Sequence, residues 1–558
     1  MNPAALWLAL PILLPLVLAA VAPLSFIRRH SLSLLPIAAL PALAAAFLAP
    51  EGTAFTAPDI LFGAQLVLDG NARLFLGFAA FLWTAAGFYA RSYMRGDERP
   101  GAFAALWCLT LAGNIGVFLA GDVATFYVSF ACVSLAAYPL VVHSRKPRAV
   151  RAGSVYIVLA LVGETCLLLG FMLATSGSET LLIADVREAA ANSVWRGPIM
   201  LLLVAGFGIK AGLVPLHVWL PLAHPAAPTP ASAVLSGAIV KAGIFGLMQF
   251  LPLGFDLPFW RDALLWAGLF TAFYGVAIGL TQNNPKTVLA YSTVSQMGIV
   301  IALLSAALQP GEPAAIALAA ASFYALHHGL AKGALFMGVG VVAASGPRAL
   351  ATVLPVLALP ALSLAGLPFT GGALAKLGAK PPLGGGMAEL LFTLSAIGTA
   401  LLMVRFMLAV ARTHSPEPSA RASVGILGPW LAAVVASLLV PWALFAATTG
   451  LEPSYPLTPG NLIGALWPAA VAGIVAAIAW RLHWRAPAIP EGDLLAAVTA
   501  LRFPGPGADW TEKLRWPTAR PALARATGSV ASEAERLLTR WSVAGALLLA
   551  IVILATLQ

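Results

Sequence analysis

Charge is scarce in this sequence. Of its 558 residues only 10% are Asp, Glu, Lys or Arg, against about 25% in soluble proteins, while 60% are hydrophobic. That balance excludes the string of soluble domains that the length alone would suggest. Cysteine is scarcer still. Cys108, Cys132 and Cys166 lie in apolar stretches and none pairs at C-x-x-C spacing, which argues against a disulfide framework or a zinc site. No basic run is interleaved with exposed aromatics, so the net charge of +10 does not point to nucleic acid. Most of the excess lies in short loops between apolar segments and reads as topology information. A phosphate-binding loop is absent too, since Gly384 to Gly386 and similar stretches have turn spacing. The first apolar stretch, Ala5 to Phe26, lacks a basic leader and a small-residue cleavage site, and we read it as a retained span.

What the chain does have is apolar length. Segments long enough to cross a bilayer fall at 5–26, 33–49, 72–92, 102–119, 123–142, 152–175, 198–219, 230–251, 262–281, 287–307, 314–344, 350–378, 387–411, 425–447, 461–480 and 539–557. The fold class is therefore an all-α polytopic membrane protein of about sixteen transmembrane helices. Basic residues follow the odd-numbered spans, at Arg28–Arg29, Arg91 to Arg99, Arg145 to Arg151, Lys286, Arg348, Arg412 to Arg421 and Arg481 with Arg485. Acidic residues mark the intervening loops, which makes the first set cytoplasmic and turns both termini outward. The pattern has exceptions: the loop around 220–230 has no basic residue, and Arg187, Arg196 and Arg261 fall on the outer side.

Two spans are not simple rods. Pro215 and Pro221 interrupt the seventh, and Pro368 with Gly371–Gly372 interrupts the twelfth. Broken helices at membrane depth are tolerated where the freed backbone faces protein or a hydrated cavity, and matching breaks in two halves point to an ion pathway and an inverted repeat. Residues 485–537 form the one extended polar stretch; its last part, 522–540, can form an amphipathic helix on the cytoplasmic face.

The eight lysines, set against 24 arginines, carry the most information. Lys210, Lys241, Lys332 and Lys376 fall inside predicted spans, where a charge costs roughly 2.5–3.5 kcal/mol even on a lenient scale and usually marks a pathway. Arginine stays protonated in proteins, whereas lysine can give up its proton, so a proton relay would use lysine inside and arginine in the loops. Tyr324, His328 and Lys332 recur at i, i+4, i+8 and share one helix face; His327 lies on another. His217 and His224 flank the break after Lys210, and Glu164 is the one carboxylate near a span centre in the first half. Each has a plainer reading: His224 as a loop cap, Lys286 as a topology anchor at a span edge, Arg405 snorkelling to the surface, any single buried Lys–Glu pair as structure. Four lysines in four separate spans favour a transport path, or the remnant of one.

At this point the sequence resembles a known family. Phe207-Gly-Ile-Lys-Ala-Gly-Leu-Val-Pro-Leu-His-Val-Trp-Leu-Pro, continuing through Lys241-Ala-Gly243, is similar to the signature of the antiporter-like membrane subunits of respiratory complex I, Mrp-type cation/proton antiporters and hydrogenase-4 or formate hydrogenlyase complexes. Lys286-Thr-Val-Leu-Ala-Tyr-Ser-Thr-Val-Ser-Gln-Met-Gly298 looks like a second signature, with His328 to Lys332 and Gly366 to Lys376 a third and fourth. The resemblance covers roughly residues 65–410. It implies a fourteen-helix core with two inverted five-helix repeats, each holding a broken helix and a half-channel. By motif position it makes Lys210 the broken-helix lysine of the first half, Lys241 the charged site of the next helix, His328 with Lys332 the central connection and Lys376 the exit side. Two departures stand out. The family usually carries a fifth-helix glutamate where this chain has Ala131, so Glu164 would have to substitute for it, and the prolines of 485–537 disfavour one long lateral helix.

The expected organisation is then 1–100 N-terminal helices, 101–251 and 262–411 the two repeats, 425–480 further spans, 485–537 a cytoplasmic arm and 539–557 a last span. The expected function is a proton-translocating subunit of a multi-subunit ion-motive complex in a bacterial inner membrane, with a proton path through Lys210, Lys241, His328, Lys332, Lys376, Glu164, His217, His224 and Tyr324. Na⁺ or K⁺ exchange is left open. No motif for a cofactor or catalytic centre is present, so any redox chemistry would belong to a partner module of an oxidoreductase. Two alternatives remain: inorganic-carbon uptake with a zinc protein partner, and a channel-silent scaffold.

Overall fold

A computed structural model describes residues 3–483, 487 and 489–495. In chain order the helices are α1 Pro3–Val21, α2 Ser31–Ala38, α3 Leu40–Leu48, α4 Gly70–Tyr93, α5 Pro100–Leu119, α6 Val123–Val141, α7 Pro147–Thr175, α8 Ile183–Asn192, α9 Arg196–Ala211, α10 Trp219–Ala226, α11 Thr229–Val234, α12 Val240–Phe250, α13 Pro258–Thr281, α14 Pro285–Ser305, α15 Glu312–Ala343, α16 Pro347–Ala365, α17 Gly371–Ala379, α18 Gly386–Val410, α19 Val424–Thr449 and α20 Pro459–Arg481. A π-helical turn, Leu235–Ile239, joins α11 to α12. The chain divides into one unit of Met1–Phe55 with Gln65–Asp493 and a second of Thr56–Ala64 with Leu494–Gln558. The amphipathic stretch 522–540 and the span 539–557 lie outside the described residues.

Among the described residues thirteen helical segments are long and apolar enough to cross a membrane. Two further expected spans are α1, whose apolar part is Leu6–Val21, and the pair α9–α10, which the break divides into short pieces. The polytopic helical class holds, with some corrections. Two short strands, β1 Thr53–Ala57 and β2 Ala64–Leu68, form a small sheet in the first long loop. The first helix stops at Val21, ahead of Pro23, and does not reach Phe26. The second span is kinked between Ala38 and Leu40, because Pro41 has no N–H to donate and its ring crowds the carbonyl one turn before it.

The spans differ in surroundings. The apolar windows of Thr229–Phe250 and Pro285–Ser305 are wholly buried, whereas most of the window of Pro459–Arg481 is not. The enclosed pair carries Lys241, Thr293 and Gln296, so polar groups ride on helices that never meet lipid. Peripheral helices expose Leu161, Leu168 and Met172 on α7, and Val435 and Leu439 on α19, as a lipid-facing surface requires.

Both broken helices end alike. At α9 the amides of Gly212 and Leu213 return to the Gly208 carbonyl; at α16 those of Gly366 and Leu367 return to the Leu362 carbonyl. Gly212 (φ 84°) and Gly366 (φ 88°) sit in the left-handed region that closes such a turn. Val214–Pro215 is cis.

Candidate functional site

Glycine brings the first charges together. A Cβ on Gly206 of α9 would sit 2.9 Å from the Gly163 carbonyl and 2.5 Å from Leu167 of α7, so these helices meet at backbone distance because position 206 is bare. Gly243 of α12 is equally close to α9, with a notional Cβ 2.7 Å from the Phe207 carbonyl. The residue after Gly163 is Glu164, and the helix turn after Gly206 carries Lys210. Both line one cavity of about 20 Å³, room for about one water, together with Ser134, Tyr156 and Trp219. Lys210 Nζ donates to Ser134 Oγ at 2.8 Å and stands 5.5 Å and 5.9 Å from the ring centres of Phe130 and Tyr156. Ser134 is one helical turn beyond Ala131, so α6 supplies a hydroxyl here and α7 supplies the carboxylate.

The break after Lys210 is fixed by two bonds. Trp219 Nε1 donates to the Ile209 carbonyl at 2.7 Å, and the Val214 amide donates to Thr271 Oγ1 at 3.2 Å. His217 lies in the break, fully buried, edge-on to Tyr274 with ring centres 5.2 Å apart. His224 is fully buried on α10 and stacks on Phe336 at 4.5 Å, so it packs inside the protein and does not cap an exposed loop. Its carbonyl accepts from Ser232 Oγ at 2.9 Å.

Lys241 and His328 meet directly. Lys241 Nζ lies 2.7 Å from His328 Nδ1 and donates to the Ser236 carbonyl at 2.5 Å, inside the π turn. That turn leaves a carbonyl pointing at the lysine, as π-bulges at functional sites commonly do. Gly237 and Gly329 let the turn and α15 touch: a Cβ on Gly329 would lie 2.8 Å from the Gly237 carbonyl. One turn along α15, Lys332 Nζ donates to the Leu289 carbonyl of α14 at 2.8 Å. Tyr324, one turn the other way, donates to Gln296 Oε1 at 2.8 Å, and Gln296 Nε2 donates to Thr399 Oγ1 of α18 at 3.0 Å. His327, on the other face, pairs with Ser363 Oγ at 3.0 Å, and Ser363 also accepts from the Gly372 amide at 3.3 Å, across the second break. Lys376 then reaches back from α17 to the Ala365 carbonyl, lining a cavity of about 30 Å³ with Phe392 and Asn461. The ammonium thus answers the negative end of α16.

The four lysines share a property. Among the described residues none lies in an ion pair; each ammonium is held by hydroxyl, carbonyl or imidazole acceptors. Lys241, Lys332 and Lys376, held by neutral acceptors, can change protonation state without stranding a fixed counter-ion, while Lys210 shares its cavity with the Glu164 carboxyl.

Sequence reasoning passed over three contributors. Lys286 turns inward and donates to the Ala227 carbonyl at 2.8 Å and to Ser232 Oγ at 3.3 Å, beyond a topology anchor's role. Gln296, inside the second motif, joins Tyr324 to α18. His327 touches the second break. Arg405 binds the Gln282 carbonyl at 2.8 Å and Asn283 at 2.6 Å, at the turn between α13 and α14, in keeping with its surface reading.

Comparison with known proteins agrees with this architecture. The profile of the NADH:quinone oxidoreductase/Mrp antiporter transmembrane family matches residues 120–404. Hydrogenase-4 component B of Escherichia coli (strain K12) is 33% identical over 288 residues, covering 50% of this chain and 43% of that protein. An Na(+)/H(+) antiporter subunit of Bacillus subtilis (strain 168) is 30% identical over 428 residues, covering 70% of this chain and 84% of that protein. A chain in the structure of the Mrp complex from Dietzia sp. DQ12-45-1b superposes with a TM-score of 0.75 at 24% identity, covering 95% of this chain and 63% of that one. Against hydrogenase-4 component B, the match spans less than half of the relative's length. This multi-pass membrane protein belongs to the NADH:quinone oxidoreductase/Mrp antiporter transmembrane family.

Proposed function

We propose that this chain is the proton-translocating membrane subunit of a multi-subunit ion-motive complex in a bacterial inner membrane. One observation carries the reading: buried lysines and histidines recur from one helix break to the other, with Lys241 and His328 in direct contact at 2.7 Å. Protons would pass along Lys210, Lys241, His328, Lys332 and Lys376, each lysine alternating between its neutral acceptors and internal water. Glu164 supplies the carboxylate beside Lys210, in place of one on α6 at Ala131. We assign to the same path His217 and His224, buried at the first break against Tyr274 and Phe336, and Tyr324, which donates to Gln296. The two repeats, 101–251 and 262–411, form the two half-channels; five crossings in each would make the second enter from the opposite face.

The partners are other membrane subunits, consistent with relatives that include a component of hydrogenase-4 and a subunit of an antiporter. The test is proton flux in proteoliposomes holding the purified complex with Lys210→Ala or Lys376→Ala. Loss in both supports the reading, and unchanged flux in both defeats it. Co-purifying subunits identify the driving module: hydrogenase- or quinone-type subunits point to redox drive, small Mrp-type subunits to antiport.

A further inference from the structure

The segment that follows α20 returns to the first break. Its backbone is fastened at Ile489, whose carbonyl accepts from Gln282 Nε2 at 3.1 Å. Glu491 is fastened twice more, by Arg148 Nη2 at 2.5 Å and by Thr287 Oγ1 at 2.9 Å. Gly492 has φ 76°, and a Cβ there would lie 3.1 Å from Leu222, so a bare residue makes the turn. The next residue is Asp493, whose side chain is 4% exposed. Its Oδ2 accepts from Tyr274 OH and lies 3.4 Å from Nε2 of His217, a ring that is itself fully enclosed. Tyr291 closes the other side, its ring centre 6.1 Å from that of His217.

A carboxylate placed this deep costs free energy that an apolar residue would not, and three anchoring contacts hold the backbone that delivers it. We infer that Asp493 is a proton-path residue of the first half, exchanging protons with His217 in the helix break; this rests on the proton-relay reading above. The step is a simple transfer. The O–H bond at Asp493 Oδ2 breaks, an N–H bond forms at His217 Nε2, and a carboxylate–imidazolium pair remains until His217 passes a proton inward. The 3.4 Å separation needs only a small closure to reach transfer distance. Glu491, with its side chain 25% exposed, marks where the segment meets solvent. The segment after α20 is therefore part of the first half-channel and not only a peripheral arm.

The experiment uses the intact complex in proteoliposomes, with D493N, D493E and K332M measured side by side for proton flux. D493N keeps the shape and can still accept from Tyr274, but it cannot exchange a proton. The expected result is a loss of roughly tenfold or more in D493N with substantial recovery in D493E, at unchanged thermal stability. If K332M abolishes flux while assembled D493N runs within about twofold of the parent, Asp493 is a structural clasp and this inference falls while the relay stands. If K332M is also unaffected, the relay itself falls. Should D493N lower the yield of assembled complex, H217Q reads the same transfer from its other partner, and unchanged flux there overturns the proposal.

Discussion

Lys241 on α12 and His328 on α15 share a 2.7 Å contact, although 87 positions separate them in the chain. When the ammonium donates, His328 Nδ1 must be unprotonated and its ring proton sits on Nε2. A charge arriving at either residue is therefore felt at once by the other. The contact depends on the π turn and on the Gly237–Gly329 approach beside it.

Lys241→Met tests what the ammonium is for. Removing a buried charge is often neutral or stabilising, while leaving the Ser236 carbonyl and His328 Nδ1 without a donor costs about 1–3 kcal/mol. We expect near-parental thermal stability in detergent and a loss of proton flux of roughly tenfold or more. A parallel fall in stability and flux would make the lysine structural.

Gly206→Ala tests the packing that joins Glu164 to Lys210. The added methyl meets Leu167 at 2.5 Å and the Gly163 carbonyl at 2.9 Å, so α7 and α9 must part. Overpacking of this kind costs about 1–3 kcal/mol, read as a lower midpoint of thermal unfolding. Flux should fall as well, because the carboxylate moves away from the lysine.

Gly366→Ala separates backbone strain from displacement of a functional side chain. Position 366 has φ 88°, and a Cβ there would lie 2.6 Å from Lys376 Nζ. Gly384 has φ 67° and nothing within 4 Å of a notional Cβ. Both Ala variants should lose roughly 1–2 kcal/mol of stability to the left-handed backbone. Only the change at 366 should reduce flux.

A loop pair gives a pH dependence with a definite sign. Asp97 Oδ2 lies 3.0 Å from His143 Nε2, and its Oδ1 accepts from the Arg99 amide at 2.8 Å. Burial works to raise the Asp97 carboxyl, but the hydrogen bonds from His143 and Arg99 and their charges outweigh it and hold it below its ordinary 3.8. A carboxyl that is more acidic folded than unfolded contributes stability above the unfolded value, near pH 4, and that contribution fades as pH falls through the folded value. Protection factors of the amides of residues 94–99, taken relative to the intrinsic exchange rate at each pH, should fall on acidification, and Asp97→Asn should flatten the response.

Much of this was legible in the sequence because membranes tolerate so few arrangements. Length and apolarity located the helices, and the rarity of interior charge singled out four lysines and Glu164. Pro215 with Pro221, and Pro368 with Gly371–Gly372, marked the two breaks. What escaped depended on direction and distance. Lys286 sits at a helix start, where sequence position does not say which way the side chain turns; the α10–α11 turn decides it. Gln296 is neutral, so its link between Tyr324 and Thr399 gave no charge signal. Asp493 lies in a polar stretch that reads as a surface arm, and only the fold carries it back to His217, 276 positions earlier. The kink before Leu40 was marked by Pro41 but hidden within a continuous apolar run.

The most direct test of the account is proton flux through the purified complex with Lys332→Met. Lys332 stands on α15 one turn beyond His328 of the Lys241–His328 pair, bound to the Leu289 carbonyl of α14 at 2.8 Å. A single buried axis predicts that flux falls by roughly a hundredfold while the complex stays assembled. Parental flux in an assembled Lys332→Met complex would contradict it.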